Sequence, residues 1–158
     1  SDETTVIVFF GDHQPSLGND FYEELYGKPL DDRTTEEVLR QYETPFFIWA
    51  NFDFEEAEVE GTSINYLSRY LLEAAGIDLP PYYQFLKEME EYIPAVSAKG
   101  YYSKSQGKYL PVKEASGTEA DWLNEYAIAQ YNNLFDEDHR NETFFGSYLP
   151  EEKNTILE

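Results

Sequence analysis

Thr5-Val6-Ile7-Val8-Phe9-Phe10-Gly11-Asp12-His13 decides the fold class of this chain. The first six residues form an apolar, largely β-branched run with no polar position between them. A strand exposed on one face would alternate. An unbroken run predicts a strand covered on both faces, as in a parallel sheet with helices packed on either side. The run stops at Gly11-Asp12-His13-Gln14-Pro15, a polar turn, and in open α/β sheets ligands collect beyond the C-terminal ends of strands.

Working outward, the spacing predicts a short helix near residues 20–26, with Asn19 or Asp20 as its cap and Gly27 as its stop. Thr34-x-x-Glu37 is a capping-box pattern that opens a second short helix reaching about Tyr42. Pro45-Phe46-Phe47-Ile48-Trp49-Ala50 reads as another buried strand, with proline at the position where a missing N–H does least harm. After an acidic loop over residues 55–61, Thr62 is the predicted cap of a helix presenting Ile64, Leu67, Leu71, Leu72 and Ala75 on one face, with Gly76 at its stop.

Tyr82, Phe85, Leu86, Met89 and Ile93 then repeat at helical spacing up to Pro94, a stripe that reads as core. Beyond Val96 the character changes. Gly100-Tyr101-Tyr102 and Lys108-Tyr109-Leu110 flank Ser105-Gln106-Gly107 as a hairpin. Thr118-x-x-Asp121 opens a last helix carrying Trp122, Leu123, Tyr126, Tyr131 and Leu134. The tail beyond Leu149 has little to bury. These patterns predict an α/β fold divided into residues 1–95 and a small α+β unit over residues 96–158.

Composition narrows the function. The 158 residues fit one ordinary domain, with 41% hydrophobic content and 14 Tyr and 11 Phe to build a core. Thirty-two acidic against eleven basic residues leave a formal net charge of −21. That surface repels nucleic acid and anionic membranes alike, so no nucleic-acid partner is expected. The absence of cysteine excludes disulfides, thiolate metal sites and a cysteine nucleophile. No apolar run approaches the ~18 residues a membrane span needs. The chain also opens just before a strand that reads as interior, as a fragment would.

Asp12 and His13 are the candidate site. Carboxylate and imidazole are ligand types that zinc, manganese and similar ions accept. Neighbours on a straight strand point to opposite faces, but past a strand end the chain bends and both can turn toward one ion. Gly11 is expected to help through its backbone freedom. The bland alternative is a turn aspartate beside a solvent-facing histidine. The second histidine, in Asp136-Glu137-Asp138-His139-Arg140, reads as part of a solvated loop.

The stretch from Val6 through Asp12-His13-Gln14-Pro15-Ser16-Leu17-Gly18 resembles the final metal-binding segment of the lipoteichoic acid synthase branch of the sulfatase and alkaline phosphatase superfamily. Thr44-Pro45-Phe46-Phe47-Ile48-Trp49-Ala50-Asn51 is similar to that family's next strand. Thr62-Ser63-Ile64-Asn65-Tyr66-Leu67, running to Ala75-Gly76-Ile77, is similar to its following helix. Together they cover roughly half the chain.

The resemblance implies the C-terminal portion of an alkaline phosphatase-like three-layer α/β/α fold, ending in a small β-hairpin and helix subdomain. It implies a membrane-anchored enzyme of a bacterium, Gram-positive by the branch, with its catalytic part extracellular. Such an enzyme moves glycerol phosphate from a lipid donor onto a glycolipid or teichoic acid acceptor by double displacement on a threonine. It implies a divalent metal of the manganese type, with Asp12 as a ligand and His13 as a ligand or a contact to the phosphoryl group.

The nucleophile and first carboxylate ligand lie upstream in the family. Thr44 and Thr62 match only in residue type, so no catalytic nucleophile is expected here and the chain alone is expected to be inactive. Sulfatase, phosphodiesterase and phosphoethanolamine transferase are alternatives within the superfamily. A non-catalytic extracellular binding or dimerisation domain is an alternative outside it. The turn after the first strand is expected to be far less negative than the rest, and an uncovered apolar sheet face is expected to promote dimerisation.

Overall fold

The computed structural model describes residues 3–146, so the tail beyond Leu149 lies outside the described residues. The architecture is mixed α/β: helices combined with two small antiparallel sheets.

Strands β1 (Val6–Phe10) and β2 (Phe46–Ala50) form the first sheet, and they pair antiparallel, with Val8 opposite Ile48 and Phe9 opposite Phe47. The parallel arrangement expected from the unbroken apolar run is therefore corrected. The run is apolar on both faces, but only one is covered by the described residues. Val6, Val8, Phe46, Ile48 and Ala50 are half-buried on the side that meets α3 (Ile64–Ala74), where the Phe46 and Tyr70 rings lie 6.2 Å apart. Ile7, Phe9, Phe47 and Trp49 stand on the other face, each about half exposed, with the Phe9 and Phe47 rings stacked at 5.2 Å. A missing alternation reports two apolar faces; it carries no information about strand direction or about what supplies the second cover.

Between these strands lie α1 (Asn19–Tyr26) and α2 (Thr35–Arg40). Gly27 ends α1 in the left-handed conformation at φ 65°, as its position implied. Its cap is Gly18 rather than Asn19 or Asp20. The capping box of α2 forms in full: the Glu37 backbone N–H donates to Thr34 Oγ1, and the Thr34 N–H donates to Glu37 Oε2 at 2.7 Å.

Helix α3 corrects two readings. Its cap is Ser63, not Thr62, and neither hydroxyl caps it. Thr62 Oγ1 donates to Glu90 Oε1 at 2.8 Å, and Ser63 Oγ accepts from the Val96 N–H at 2.9 Å. Both are drawn into tertiary contacts that outweigh a local cap. Ile64, expected on the apolar face, is 65% exposed, while Tyr66, Leu67 and Arg69 are buried.

Helix α4 (Pro81–Glu90) buries Leu86 and Met89 as its stripe implied. The second sheet follows in order β3 (Val96–Ser97), β4 (Gly100–Ser103), β5 (Lys108–Leu110), with the expected hairpin turning at Gly107, φ 65°. Met89, Ile93, Tyr101 and Leu110 form the core cluster, flanked by Phe85, Val96, Trp122, Leu123 and Tyr126. The last three come from α5 (Gly117–Phe135). Its C-terminal half leaves this core, so Tyr131 and Leu134 are 62% exposed rather than packed. Helix α6 (Glu142–Phe145) returns Phe144 and Phe145 to Tyr82 and Phe85.

Lys28 first, then the Thr34 backbone N–H, hold the Glu37 carboxyl down at about 2. A depressed folded-state pKa adds stability above the unfolded value of roughly 4.3, and loses it as pH falls toward the folded value. Chemical denaturation between pH 5 and about 2 should therefore show a shallower loss of stability in Glu37→Gln than in wild type. Parallel slopes would contradict the assignment.

Candidate metal centre

Two hydrogen bonds shape the turn after β1. The Gly11 N–H donates to the Pro45 carbonyl at 3.1 Å, and Thr44 Oγ1 donates to the Gly11 carbonyl at 2.8 Å. They carry the strand pairing one residue past β1 and fix where Asp12 emerges. Gly11 is required here for space rather than for an unusual backbone angle, because a Cβ at this position would sit 2.8 Å from Thr44 Cβ. The expectation of a glycine-permitted bend is corrected accordingly, since Gly11 is not among the positive-φ glycines.

Asp12 and His13 come together at the surface. Asp12 Oδ1 accepts the His13 backbone N–H at 2.9 Å, and Oδ2 lies 3.5 Å from His13 Nε2. His13 Nδ1 sits 2.8 Å from the Gln14 carbonyl. A carbonyl only accepts, so Nδ1 carries the proton and a neutral ring keeps its lone pair on Nε2, the nitrogen that faces Asp12. The side chains are 83% and 76% exposed.

This donor set fits part of a metal site. A carboxylate oxygen and an imidazole nitrogen 3.5 Å apart are donor types that could together hold one divalent ion. The set is incomplete by itself, since no group of three or more His, Cys, Asp or Glu able to hold an ion occurs among the described residues. His139, by contrast, pairs locally with Asp136 at 2.9 Å and is 81% exposed, a solvated turn as expected.

Neither candidate threonine is free to act. Thr44 Oγ1 is engaged with Gly11 and Thr62 Oγ1 with Glu90. Beside His13 the structure also forms a cleft of about 400 Å³ that sequence reasoning missed, with Tyr22, Arg33, Gln41 and Tyr42 on its walls. These residues are scattered through α1, α2 and their connections, and nothing in their spacing announces a shared cavity. The single legible signal was the acid-free stretch His13-Gln14-Pro15-Ser16-Leu17-Gly18-Asn19.

Replacing Gly11 by alanine should cost about 1–3 kcal/mol through overpacking against Thr44, read by thermal unfolding. It should also displace the Asp12–His13 turn, visible as amide shifts at those residues. An unchanged melting temperature and spectrum would show that the two segments separate freely.

Comparison with known proteins covers the segment in which this pair lies. The sulfatase family matches residues 1–77, which hold β1, the Asp12–His13 turn, β2 and α3. A protein of Rhizobium meliloti (strain 1021) named "Putative cyclic beta-1,2-glucan modification protein" is 24% identical over 159 residues, covering 93% of this chain. The chain spans 23% of that relative's length. No solved structure matches. The segment that carries Asp12 and His13 is similar to the sulfatase family over residues 1–77 of the chain.

Proposed function

We propose that this chain is the C-terminal part of a sulfatase-like phosphoglycerol transferase of the bacterial cell envelope, and that it supplies Asp12 and His13 to the metal site of the whole protein. The observation that carries the reading is the convergence of Asp12 Oδ2 and His13 Nε2 at 3.5 Å, at the end of a strand inside the sulfatase match. Sulfatase family members generally depend on a divalent metal. An ion of the manganese type, when bound, supplies Lewis-acid stabilisation of phosphoryl oxygens.

The chain's own residues have narrower tasks. Asp12 offers one carboxylate oxygen while its other is held by the His13 N–H. His13 offers Nε2, oriented by the bond of Nδ1 to the Gln14 carbonyl, and would serve either as a ligand or as a contact to the phosphoryl group. The nucleophilic threonine and remaining ligands belong to other parts of the protein, so the chain alone is inactive. The donor is a glycerol phosphate lipid. The acceptor is a hydroxyl of a glycolipid or teichoic acid in the first reading, and of a glucan in a second reading favoured by the relative's name. The catalytic part lies outside the cell membrane. Among the described residues no helix is long and apolar enough to cross a membrane.

In full-length protein supplied with a phosphatidylglycerol-type donor, Asp12→Ala should lower transfer by more than the 10–100-fold typical of losing a residue that merely supports a metal ligand. Wild-type turnover in that variant would overturn the assignment and favour a non-catalytic binding module. Running glycolipid and glucan acceptors side by side separates the two acceptor readings.

The uncovered face of the first sheet leads to a further expectation for the isolated chain. Ile7, Phe9, Phe47 and Trp49 form a contiguous apolar patch, and a second copy offers the same patch in return. Sedimentation velocity should show concentration-dependent dimers that Trp49→Lys abolishes. A strictly monomeric wild-type chain at high concentration would contradict this.

A further inference from the structure

The cleft beside His13 is set apart by charge. The chain carries 32 Asp and Glu in 158 residues, yet no carboxylate lines this cavity of about 400 Å³. The contrast within the same molecule is direct. A larger cleft of about 870 Å³ along β2 is walled by Asp53, Glu55, Glu56, Glu58 and Glu73. An anionic or electron-rich ligand would be repelled from the second and tolerated by the first.

The walls of the smaller cleft add positive recognition. Arg33 is half-buried and has no carboxylate partner among the described residues. Its Nε donates to the Leu30 carbonyl at 3.3 Å, its Nη1 donates to Gln41 Oε1 at 2.9 Å, and its guanidinium lies 5.8 Å from the Tyr22 ring centroid. Neutral groups therefore fix the orientation of a charge that nothing in the cleft neutralises, and Nη2 stays available. Because Gln41 uses its oxygen on Arg33, its amide N–H₂ is left to donate. Asn19 contributes a further amide, and no side-chain hydrogen bond within the described residues engages it or the hydroxyls of Tyr22 and Tyr42. Tyr42 is 57% exposed, with its ring open to a ligand.

Aromatic faces combined with free amides, hydroxyls and one oriented guanidinium are the chemistry that binds sugars. C–H faces of a pyranose lie on the rings, and its hydroxyls exchange hydrogen bonds with the amides. We propose that this cleft binds the hydroxyl-rich acceptor, a sugar chain that is neutral or carries isolated phosphoryl groups. It would place an acceptor hydroxyl beside His13. The inference rests on the reading of Asp12 and His13 as the metal end of a transfer site, and it adds which side of that site the acceptor occupies.

The test is an amide NMR titration of the full chain with a β-1,2-linked gluco-oligosaccharide, with inorganic phosphate and Mn²⁺ as separate probes. Saturable shifts should cluster at residues 13–19, 22, 33 and 41–42. Tyr42→Ala should weaken binding about tenfold while leaving the melting temperature unchanged, because the side chain is exposed and makes no hydrogen bond. Asp12→Ala should abolish Mn²⁺-induced broadening at residues 12 and 13 yet retain oligosaccharide binding, so the two readings fail separately. Absence of shifts, shifts at residues 52–59 instead, or equal affinity for inorganic phosphate alone would each overturn the proposal.

Discussion

The arrangement of the candidate site depends on a close approach between two chain segments far apart in sequence. Gly11 and Thr44 meet with no room for a further methyl group, and two hydrogen bonds seal the contact. Because the strands pair antiparallel, this seal sits where β1 ends and just before β2 begins. The chain leaving β1 is held at a fixed point, and Asp12 and His13 are presented outward from it. Within the exposed turn that follows, the bonds of the His13 N–H to Asp12 and of the His13 ring to the Gln14 carbonyl set the separation of the pair.

Deeper in the molecule a polar network fixes α3 against α4. Arg69 is buried and pairs with Glu73 and Glu90. Glu90 also accepts from Tyr70 at 2.6 Å and Thr62 at 2.8 Å, and the Arg69 guanidinium lies 4.0 Å from the Tyr70 ring centroid. Burial, then the bond to Glu90, pushes the Tyr70 hydroxyl up to about 12. A buried arginine is tolerable only when such partners surround it. Because α3 also backs the first sheet, the network links the layer that carries Asp12 and His13 to the larger core beyond it.

A second buried carboxylate plays the matching role in the hairpin unit. Glu119 accepts from Ser103 at 2.8 Å, from Tyr101 at 3.1 Å and from both the hydroxyl and backbone N–H of Ser105. Burial pushes its carboxyl up, but the donors outweigh burial and hold it below the ordinary range. Burial, followed by the bond to Glu119, drives the Tyr101 hydroxyl up to about 12. The hairpin is thereby tied to the start of α5 by satisfied hydrogen bonds rather than by apolar contact alone. These networks absorb polar groups that would otherwise look chemically suggestive, while the cleft beside His13 keeps polar side chains that make no bond among the described residues.

What could be read from the chain alone was local and periodic. The Thr34–Glu37 capping box, the stop at Gly27, the hairpin turning at Gly107 and the Leu86–Met89–Ile93 stripe each depend on neighbours within a few residues, so their patterns survive in one dimension. The adjacency of Asp12 and His13 was equally plain. Tertiary structure alone decided the rest. The direction of the first strand pair was hidden because an apolar face looks the same in either orientation. The diversion of Thr62 and Ser63 from capping to α4 and β3 needed partners about thirty residues away. The cleft beside His13 gathers side chains from separate elements, and no local spacing records a cavity that exists only once those elements pack.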